Sequence, residues 1–269
     1  MQRQKGKLLI RLRSIGGNLD SSQLREMAEL AEKYGKGYVH ITTRQGVEIP
    51  WIKQGDCEAV LDELNKHGLK IGASGPRIRT VMACPGREVC RFGLMNSRRT
   101  GIKLDQVFFG REVPMKTKIG VSGCPNSCAK PQVNDIGLVG AVEPKLDEEK
   151  CVGCGICEDT CPNRAISMID DKPVIDRARC LMDGKCIASC PVGAWREKRR
   201  GFLLYVGGKI GRNPRLGQVI DGLIPESQVI KAVEKVLKAF EDLGKKGERI
   251  ADTIDRVGLD EFRAKYRSL

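Results

Sequence analysis

The positions of the cysteines constrain this chain more than any other feature of its sequence. Eleven of its 12 cysteines lie between residues 84 and 190 of the 269. The first four form two pairs, Cys84 and Cys90 in C-x5-C spacing and Cys124 and Cys128 in C-x3-C spacing. Four thiolates with this spacing can hold one iron–sulfur cluster, because each corner iron takes one cysteine sulfur.

A second group of cysteines lies in residues 145–195, which differ in composition from the rest of the chain. The run Cys151, Cys154, Cys157, Cys161-Pro162 has the C-x2-C-x2-C-x3-C-P spacing of bacterial ferredoxins, which it resembles. A zinc site would use two C-x-x-C pairs set further apart. A second copy follows 29 positions later, with Asp183 where its second cysteine is expected: Cys180, Asp183, Cys186, Cys190.

The ferredoxin resemblance implies which side chains share a cluster, because the fourth cysteine of each run ligates the other cluster. One cluster would be held by Cys151, Cys154, Cys157 and Cys190. The other would be held by Cys161, Cys180, Asp183 and Cys186. A carboxylate binds this iron less well than a thiolate, so the second cluster is either [4Fe–4S] with an aspartate ligand or [3Fe–4S]. Alternatively, Asp183 caps a helix or turn and has no metal role.

The N-terminal part has a β-α-β-β-α pattern. Residues 7–13, 38–42 and 47–51 read as strands, and a helix opens at Asp20 with Gln23 as its capping-box partner. A second helix is predicted over residues 56–66. This order predicts a small ferredoxin-like α+β layer.

Three basic segments accompany the first four cysteines: T-T-R-Q at 42–45, R-I-R at 77–79 and K-T-K at 116–118. In a strand, Lys116 and Lys118 point to the same face, where their charges repel unless an anion lies between them. These segments and the G-C-P-N-S-C motif at 123–128 resemble, in order, those of the sirohaem-dependent sulfite/nitrite reductase family.

The resemblance implies a sirohaem and a [4Fe–4S] cluster, with Cys128 bridging to the sirohaem iron, and therefore three clusters in all. It implies that four cations surround the substrate anion: Arg44, Arg79, Lys116, Lys118. It further implies sirohaem contacts from Asn126, Lys209 and Arg77, the last of which is equally well explained as a surface residue.

The expected fold class is α+β, in three parts. Residues 1–70 form the ferredoxin-like layer, and residues 71–143 and 199–269 form the sirohaem and [4Fe–4S] domain. Residues 144–198 form an inserted two-cluster ferredoxin domain. After the insertion, a strand at 201–206 enters a glycine-rich turn, and a long helix begins at Pro225. Two short helices are expected at the end.

The net charge of +13 allows a nucleic-acid partner, but aromatic residues make up only 4% and the basic residues are dispersed. The charge suits a polycarboxylate cofactor, an anionic substrate and an acidic electron donor. No apolar run is long enough for a membrane span or a signal peptide. We therefore expect a cytoplasmic protein with reduced thiols, from an anaerobic cell, without nucleic-acid or membrane partners.

Sulfite reduction to sulfide, with electrons relayed through the ferredoxin-type clusters from a low-potential donor such as a ferredoxin or a reductase subunit, is the leading hypothesis. Nitrite reduction to ammonia shares every residue named above. A non-catalytic sirohaem or iron–sulfur electron-transfer protein is the third possibility, although a pure carrier has no use for four converging cations. Many family members carry two copies of the α/β repeat and this chain has one, so a homo-oligomer is expected to supply the missing half.

Overall fold

The computed structural model describes residues 4–269. Its N-terminal layer is a three-stranded sheet in the order β1-β3-β2, covered by two helices. The elements are β1 (Lys7–Leu12), α1 (Ser21–Tyr34), β2 (His40–Ile41), β3 (Val47–Lys53) and α2 (Cys57–Lys66). The predicted capping box is confirmed: the Asp20 side chain accepts from the Gln23 amide at 2.8 Å, and the Gln23 side chain accepts from the Asp20 amide at 3.1 Å. The predicted strand at 38–42 was too long, because only two residues pair with β3.

The second sheet has five strands in the order β10-β9-β6-β5-β4. Its strands are β4 (Met82–Ala83), β5 (Ile119–Ser122), β6 (Ile136–Leu146), β9 (Trp195–Val206) and β10 (Gln218–Ile224). Strands β4, β5 and β6 are parallel, whereas β6, β9 and β10 are antiparallel. Cys84 directly follows β4, and Cys124 follows β5 by one residue. The two cysteine pairs therefore begin at the same edge of the sheet, because parallel strands have their carboxyl ends together.

Four helices cover this sheet and share its core. They are α3 (Ser97–Phe108), α6 (Val229–Leu243), α7 (Ile250–Val257) and α8 (Leu259–Ser268). Phe108, Phe202, Phe240 and Phe262 are at most 1% exposed and anchor that core. The long helix predicted from Pro225 starts with a 3-10 turn at Glu226–Gln228, and the two short terminal helices are present as expected.

The inserted segment extends from a two-stranded ribbon. Strands β6 and β9 pair from Ile136 opposite Val206 to Leu146 opposite Trp195. The boundaries expected at 144 and 198 thus lie inside the paired strands β6 and β9. The irregular module consists of the residues between these two strands. The module contains α4 (Ile156–Asp159), β7 (Ile166–Ile169), β8 (Lys172–Ile175) and α5 (Lys185–Ser189).

Trp195 is the centre of the module's small core. It packs with Cys157, Ile166 and Cys186. Within residues 4–269, we find no helix with the length and apolar character that a membrane span requires.

Candidate functional site

The first four cysteines form one group at the carboxyl edge of β4 and β5. The Cys84 amide donates to Val121 O at 3.1 Å, which continues the pairing of the two strands. The Cys84 sulfur accepts from the Gly123 amide at 3.2 Å and lies 3.1 Å from the Ser97 hydroxyl.

The four thiols also interact electrostatically. Burial raises the pKa of Cys124, and the neighbouring thiols of Cys84, Cys90 and Cys128 raise it further. Because four thiolates repel one another in a partly buried site, a cationic iron centre between them would relieve the repulsion. Cys128 is the exposed member and Asn126 beside it is also exposed, so this corner faces away from the core. The donor set fits an iron–sulfur cluster with one ligand open to a further cofactor.

A cavity of about 480 Å³ brings together all four cations expected around the substrate. Arg44 comes from the turn between β2 and β3, and Arg79 lies just before β4. Lys116 and Lys118 come from the segment before β5. The cavity is also lined by side chains that the sequence interpretation did not single out as site residues: Arg11, Ser14, His40, Thr42, Thr43, Glu48 and Thr80.

The two lysines point the same way for a reason that differs from the prediction. They precede β5 rather than lying in it, since the strand begins at Ile119. Thr117 between them is fully buried and forms an isolated parallel bridge with Ile78. Because Thr117 points inwards, Lys116 and Lys118 are left half-buried on the opposite side, at the cavity.

Burial and mutual repulsion destabilise the charged forms of Arg44 and Lys118 in this cavity. Burial lowers the pKa of Arg44 to about 10, with Arg79, Arg11 and Arg249 contributing in the same direction. Burial also lowers the pKa of Lys118 to about 8, and Arg44, Arg249 and Lys116 lower it further. Asp135 opposes both shifts. A bound anion would favour the charged forms of these side chains.

Two guanidinium nitrogens also indicate that the cavity binds an anion. Among the described residues, three buried side-chain nitrogens lack a hydrogen-bond partner; Arg44 Nε and Arg79 Nη1 belong to cavity residues, and the third is Trp195 Nε1 in the module. Their neighbours are partly satisfied, since Arg44 Nη2 donates to Thr80 O at 3.2 Å and Arg79 Nη2 donates to Gly75 O at 2.9 Å. A buried donor without an acceptor costs about 1–3 kcal/mol, and the cost is higher when the donor is charged. The cavity therefore suits an oxyanion or a carboxylate.

Gln45 connects this cavity to the cysteine group. Its side-chain amide donates to Ala83 O and accepts from the Ala83 amide, both at 2.9 Å. Ala83 immediately precedes Cys84, so the turn carrying Arg44 is fastened to the strand that ends in the first cysteine. The sequence interpretation included Gln45 only as part of the T-T-R-Q segment and missed this role.

Two residues expected to contact a cofactor lie outside the cavity lining. Arg77 forms an exposed ion pair with Glu112 at 3.0 Å, which agrees with its alternative interpretation as a surface residue. Lys209 donates to Asp252 at 2.5 Å, in the turn after β9. Neither side chain is brought to Arg44 or Lys118 in the structure.

The module contains two further groups of ligand-type side chains, each around its own small cavity. One cavity is lined by Cys151, Cys154, Cys157 and Cys190. The other is lined by Cys161, Cys180, Asp183 and Cys186. Asp183 also accepts from the Lys185 amide at 3.1 Å, in the turn that leads into α5. Within residues 4–269, no three His, Cys, Asp or Glu side chains are close enough to hold a single metal ion.

Known protein families and solved structures resemble this chain in sequence and in fold. Residues 74–268 match the family model of the nitrite and sulphite reductase 4Fe-4S domain. Residues 1–67 match that of the nitrite/sulfite reductase ferredoxin-like half domain. A crystal structure of dissimilatory sulfite reductase I aligns with a TM-score of 0.77 at 20% identity, over 96% of this chain and 68% of that one. This likeness shows a shared fold.

Two sequence relatives are informative. The coenzyme F420-dependent sulfite reductase of Methanocaldococcus jannaschii is 36% identical over all of this chain, which spans only 43% of that protein. An anaerobic sulfite reductase subunit of Salmonella typhimurium is 29% identical, over 90% of this chain and 76% of the relative. With both of its parts matched by family models, the chain belongs to the nitrite and sulphite reductase family.

Proposed function

We propose that this chain reduces sulfite to sulfide at the cation-lined cavity. The observation that carries the proposal is the convergence of Arg44, Arg79, Lys116 and Lys118 at one cavity, with two buried guanidinium nitrogens lacking acceptors. Sulfite is an oxyanion that such donors can bind. When bound, the sirohaem and the [4Fe–4S] cluster typical of the family would relay, about one at a time, the six electrons that a low-potential donor delivers.

The cations have separate roles in this proposal. Arg44 and Arg79 donate to the oxygens of sulfite or to sirohaem carboxylates, because a guanidinium offers several donors in one plane. Lys118 has a pKa of about 8, so near neutral pH it is protonated yet can release its proton to an oxygen leaving the substrate. Lys116 contributes charge from the neighbouring position. Cys128 would help to hold the sirohaem, and Asn126, which is exposed two positions before it, would contact the same cofactor.

The module is proposed to bring electrons from a low-potential donor, such as a ferredoxin or a reductase subunit. Two observations support a direction of electron transfer through the module. The loop carrying Asp183 contacts the end of the β6–β9 ribbon that is nearer the five-stranded sheet, since Val142 N donates to Met182 O at 2.8 Å. By contrast, Cys154 and Val152 of the other group are exposed, Val152 by 66%. We propose that the first group receives electrons and that the Asp183 group faces the catalytic domain.

With the Cys84 group, the module would bring the number of iron–sulfur clusters to three. In one alternative, Asp183 is the fourth ligand of a [4Fe–4S] cluster. In the other, the cluster is [3Fe–4S] and lacks the iron that Asp183 would bind. Iron and sulfide content, with electron paramagnetic resonance (EPR) of the reduced protein, would distinguish these alternatives.

A homodimer is proposed to complete the active site. The chain has a single ferredoxin-like half domain. Its edge strand β2 carries Ile41, which is 72% exposed. A closed two-fold pair would cover this edge in both copies. Analytical ultracentrifugation would test the assembly. The expectation of a cytoplasmic protein without membrane or nucleic-acid partners stays a prediction.

The test of the proposed function is turnover of the anaerobically purified protein with reduced viologen, comparing sulfite and nitrite as sole acceptors. We expect sulfide from sulfite at the higher kcat/KM. Preference for nitrite, with ammonium as product, would assign the runner-up activity. Sirohaem absorption without turnover of either anion would identify an electron-transfer protein and overturn the proposal.

A further inference from the structure

Asp135 is a fully buried carboxylate next to the cation-lined cavity. It directly precedes β6 and is 0% exposed. Its carboxylate accepts three hydrogen bonds, from Arg249 Nε at 2.9 Å, Arg249 Nη2 at 2.8 Å and the Lys118 backbone amide at 2.8 Å. The bidentate contact with Arg249 makes its geometry well defined, because a guanidinium and a carboxylate match in shape.

These bonds fix the backbone of Lys118 on both sides. Its amide donates to Asp135, and its carbonyl accepts from the Ile136 amide at 3.1 Å. Thr117 before it is buried against Ile78. With both backbone groups held and its neighbour inside the core, Lys118 is placed so that its side chain lines the cavity.

The same carboxylate balances the charge around Lys118. The groups facing Lys118 are Arg44 from the turn after β2, Arg249 at the start of α7, Lys116 from its own segment and Asp135. Arg11, His40, Glu48 and Arg79 line the rest of the cavity. Asp135 is therefore the carboxylate that offsets the effect of three nearby cations on Lys118. It also accepts a hydrogen bond from the Lys118 amide.

We propose that Asp135 is a positioning residue: it fixes Lys118 at the edge of the cation-lined cavity and keeps its ammonium charged for the anion. The consequence for turnover rests on the proposed function. The placement and charge of Lys118 do not, and they can be measured without substrate.

The test measures the pH dependence of Lys118 acetylation by limiting acetic anhydride, read by mass spectrometry, in the whole protein with its cofactors. In the wild type we expect a midpoint near pH 8. In Asp135→Asn the isosteric amide removes the negative charge, and the midpoint should fall by about one pH unit. At pH 7.5 that shift alone lowers the protonated fraction, and hence kcat/KM, about threefold.

A matched control is available in Asp105. It is also 0% exposed, accepts from Arg13 Nε at 2.7 Å and accepts from the Val81 amide at 2.9 Å. Asp105→Asn should lower the unfolding temperature much as Asp135→Asn does, because both leave a buried arginine without its counter-charge. It should leave the Lys118 midpoint in place, since Asp105 is not among the groups that shift Lys118.

Further outcomes decide the proposal. An unchanged Lys118 midpoint in folded Asp135→Asn, or an equal shift in Asp105→Asn, would overturn it. If Asp135→Asn does not fold, Asp135→Glu retains the charge but displaces it by one methylene; we expect a near-native midpoint with reduced kcat/KM, and an unchanged kcat/KM would overturn the positioning role. A shifted midpoint in a protein that reduces no sulfite would refute the proposed function alone.

Discussion

The cation-lined cavity and the inserted module assemble their functional side chains in opposite ways. In the cavity, Arg44, Arg79 and Lys118 come from three separate segments and meet only because two sheets dock. In the module, four of the ligand-type residues lie within eleven positions, and a copy follows 29 positions later. The cavity therefore depends on tertiary contacts, whereas the module depends mainly on local backbone conformation.

The local contacts of the two module halves show this dependence. Gly155 and Gly184, 29 positions apart, each precede a short helix with φ of +73°, a conformation that favours glycine. Cys161 and Cys190 each accept a hydrogen bond at 3.2 Å from the amide four residues later. The two halves thus share their backbone geometry although Asp183 replaces a cysteine in one of them.

Replacing Cys124 by Ala should separate the two regions most sharply. We expect loss of the cluster at the sheet edge and of detectable sulfite turnover, because that group would retain only three thiolates. The EPR signals of the module should persist. Cys57→Ala is the control, since Cys57 is half-buried in α2 without a second cysteine nearby in sequence. Loss of the module signals as well would show that the regions are not independent.

Lys118→Ala tests the cavity alone. Removing one charged donor from an active site typically costs about 10²–10³ in kcat, and we expect a loss of this order with unchanged visible and EPR spectra. Lys53→Ala removes an exposed lysine at the end of β3 and should have no effect. A loss below twofold for Lys118→Ala would remove Lys118 from the mechanism.

The pH dependence of the wild type should follow the same lysine. Because burial and neighbouring cations lower the pKa of Lys118 to about 8, its charged form is present below that pH and is lost above it. We expect kcat/KM for sulfite to fall about tenfold per pH unit above about 8. Measurement from pH 6.5 to 9.5 with an independent check of cluster integrity tests this. A flat profile through pH 9 would contradict it.

Asp183→Cys should have the smallest effect and bears on the module alone. A fourth thiolate would make the second group chemically like the first, so its EPR signal and reduction potential should change while sulfite turnover changes less than tenfold. Asp183→Ala serves as the comparison, because it removes both the carboxylate and its hydrogen bond to the Lys185 amide. Identical EPR spectra in all three proteins would show that Asp183 is not near iron.

Sequence interpretation succeeded where the signal is local. The capping box at Asp20, the turn carrying Arg44 and the cysteine spacings all depend on residues a few positions apart. It failed where the determinant is distant in sequence. Gln45 bonds to Ala83 38 positions away, and Asp135 bonds to Arg249 114 positions away. Neither contact leaves a periodic or spaced pattern.

The errors have the same origin. The polar pattern of 116–118 suggested a strand, but the burial of Thr117 at an isolated bridge produces the same alternation outside β5. Arg77 is expected at a cofactor because it lies two positions from Arg79, and Lys209 because it lies in a glycine-rich turn. In the structure they form ion pairs with Glu112 and Asp252, and their contact with a sirohaem stays a prediction.

The ribbon that carries the module has a mechanical consequence. Strand β6 is 11 residues long, about 35 Å, yet only its first four residues also pair with β5. From Ala141 onwards β6 and β9 continue as a two-stranded arm, with a register irregularity between Glu143 and Pro144. Such irregularities bend and twist an arm. The orientation of the module therefore depends on this joint and on the hydrogen bond from Val142 N to Met182 O that spans it, and Pro144 at the joint also lines the Asp183 cavity.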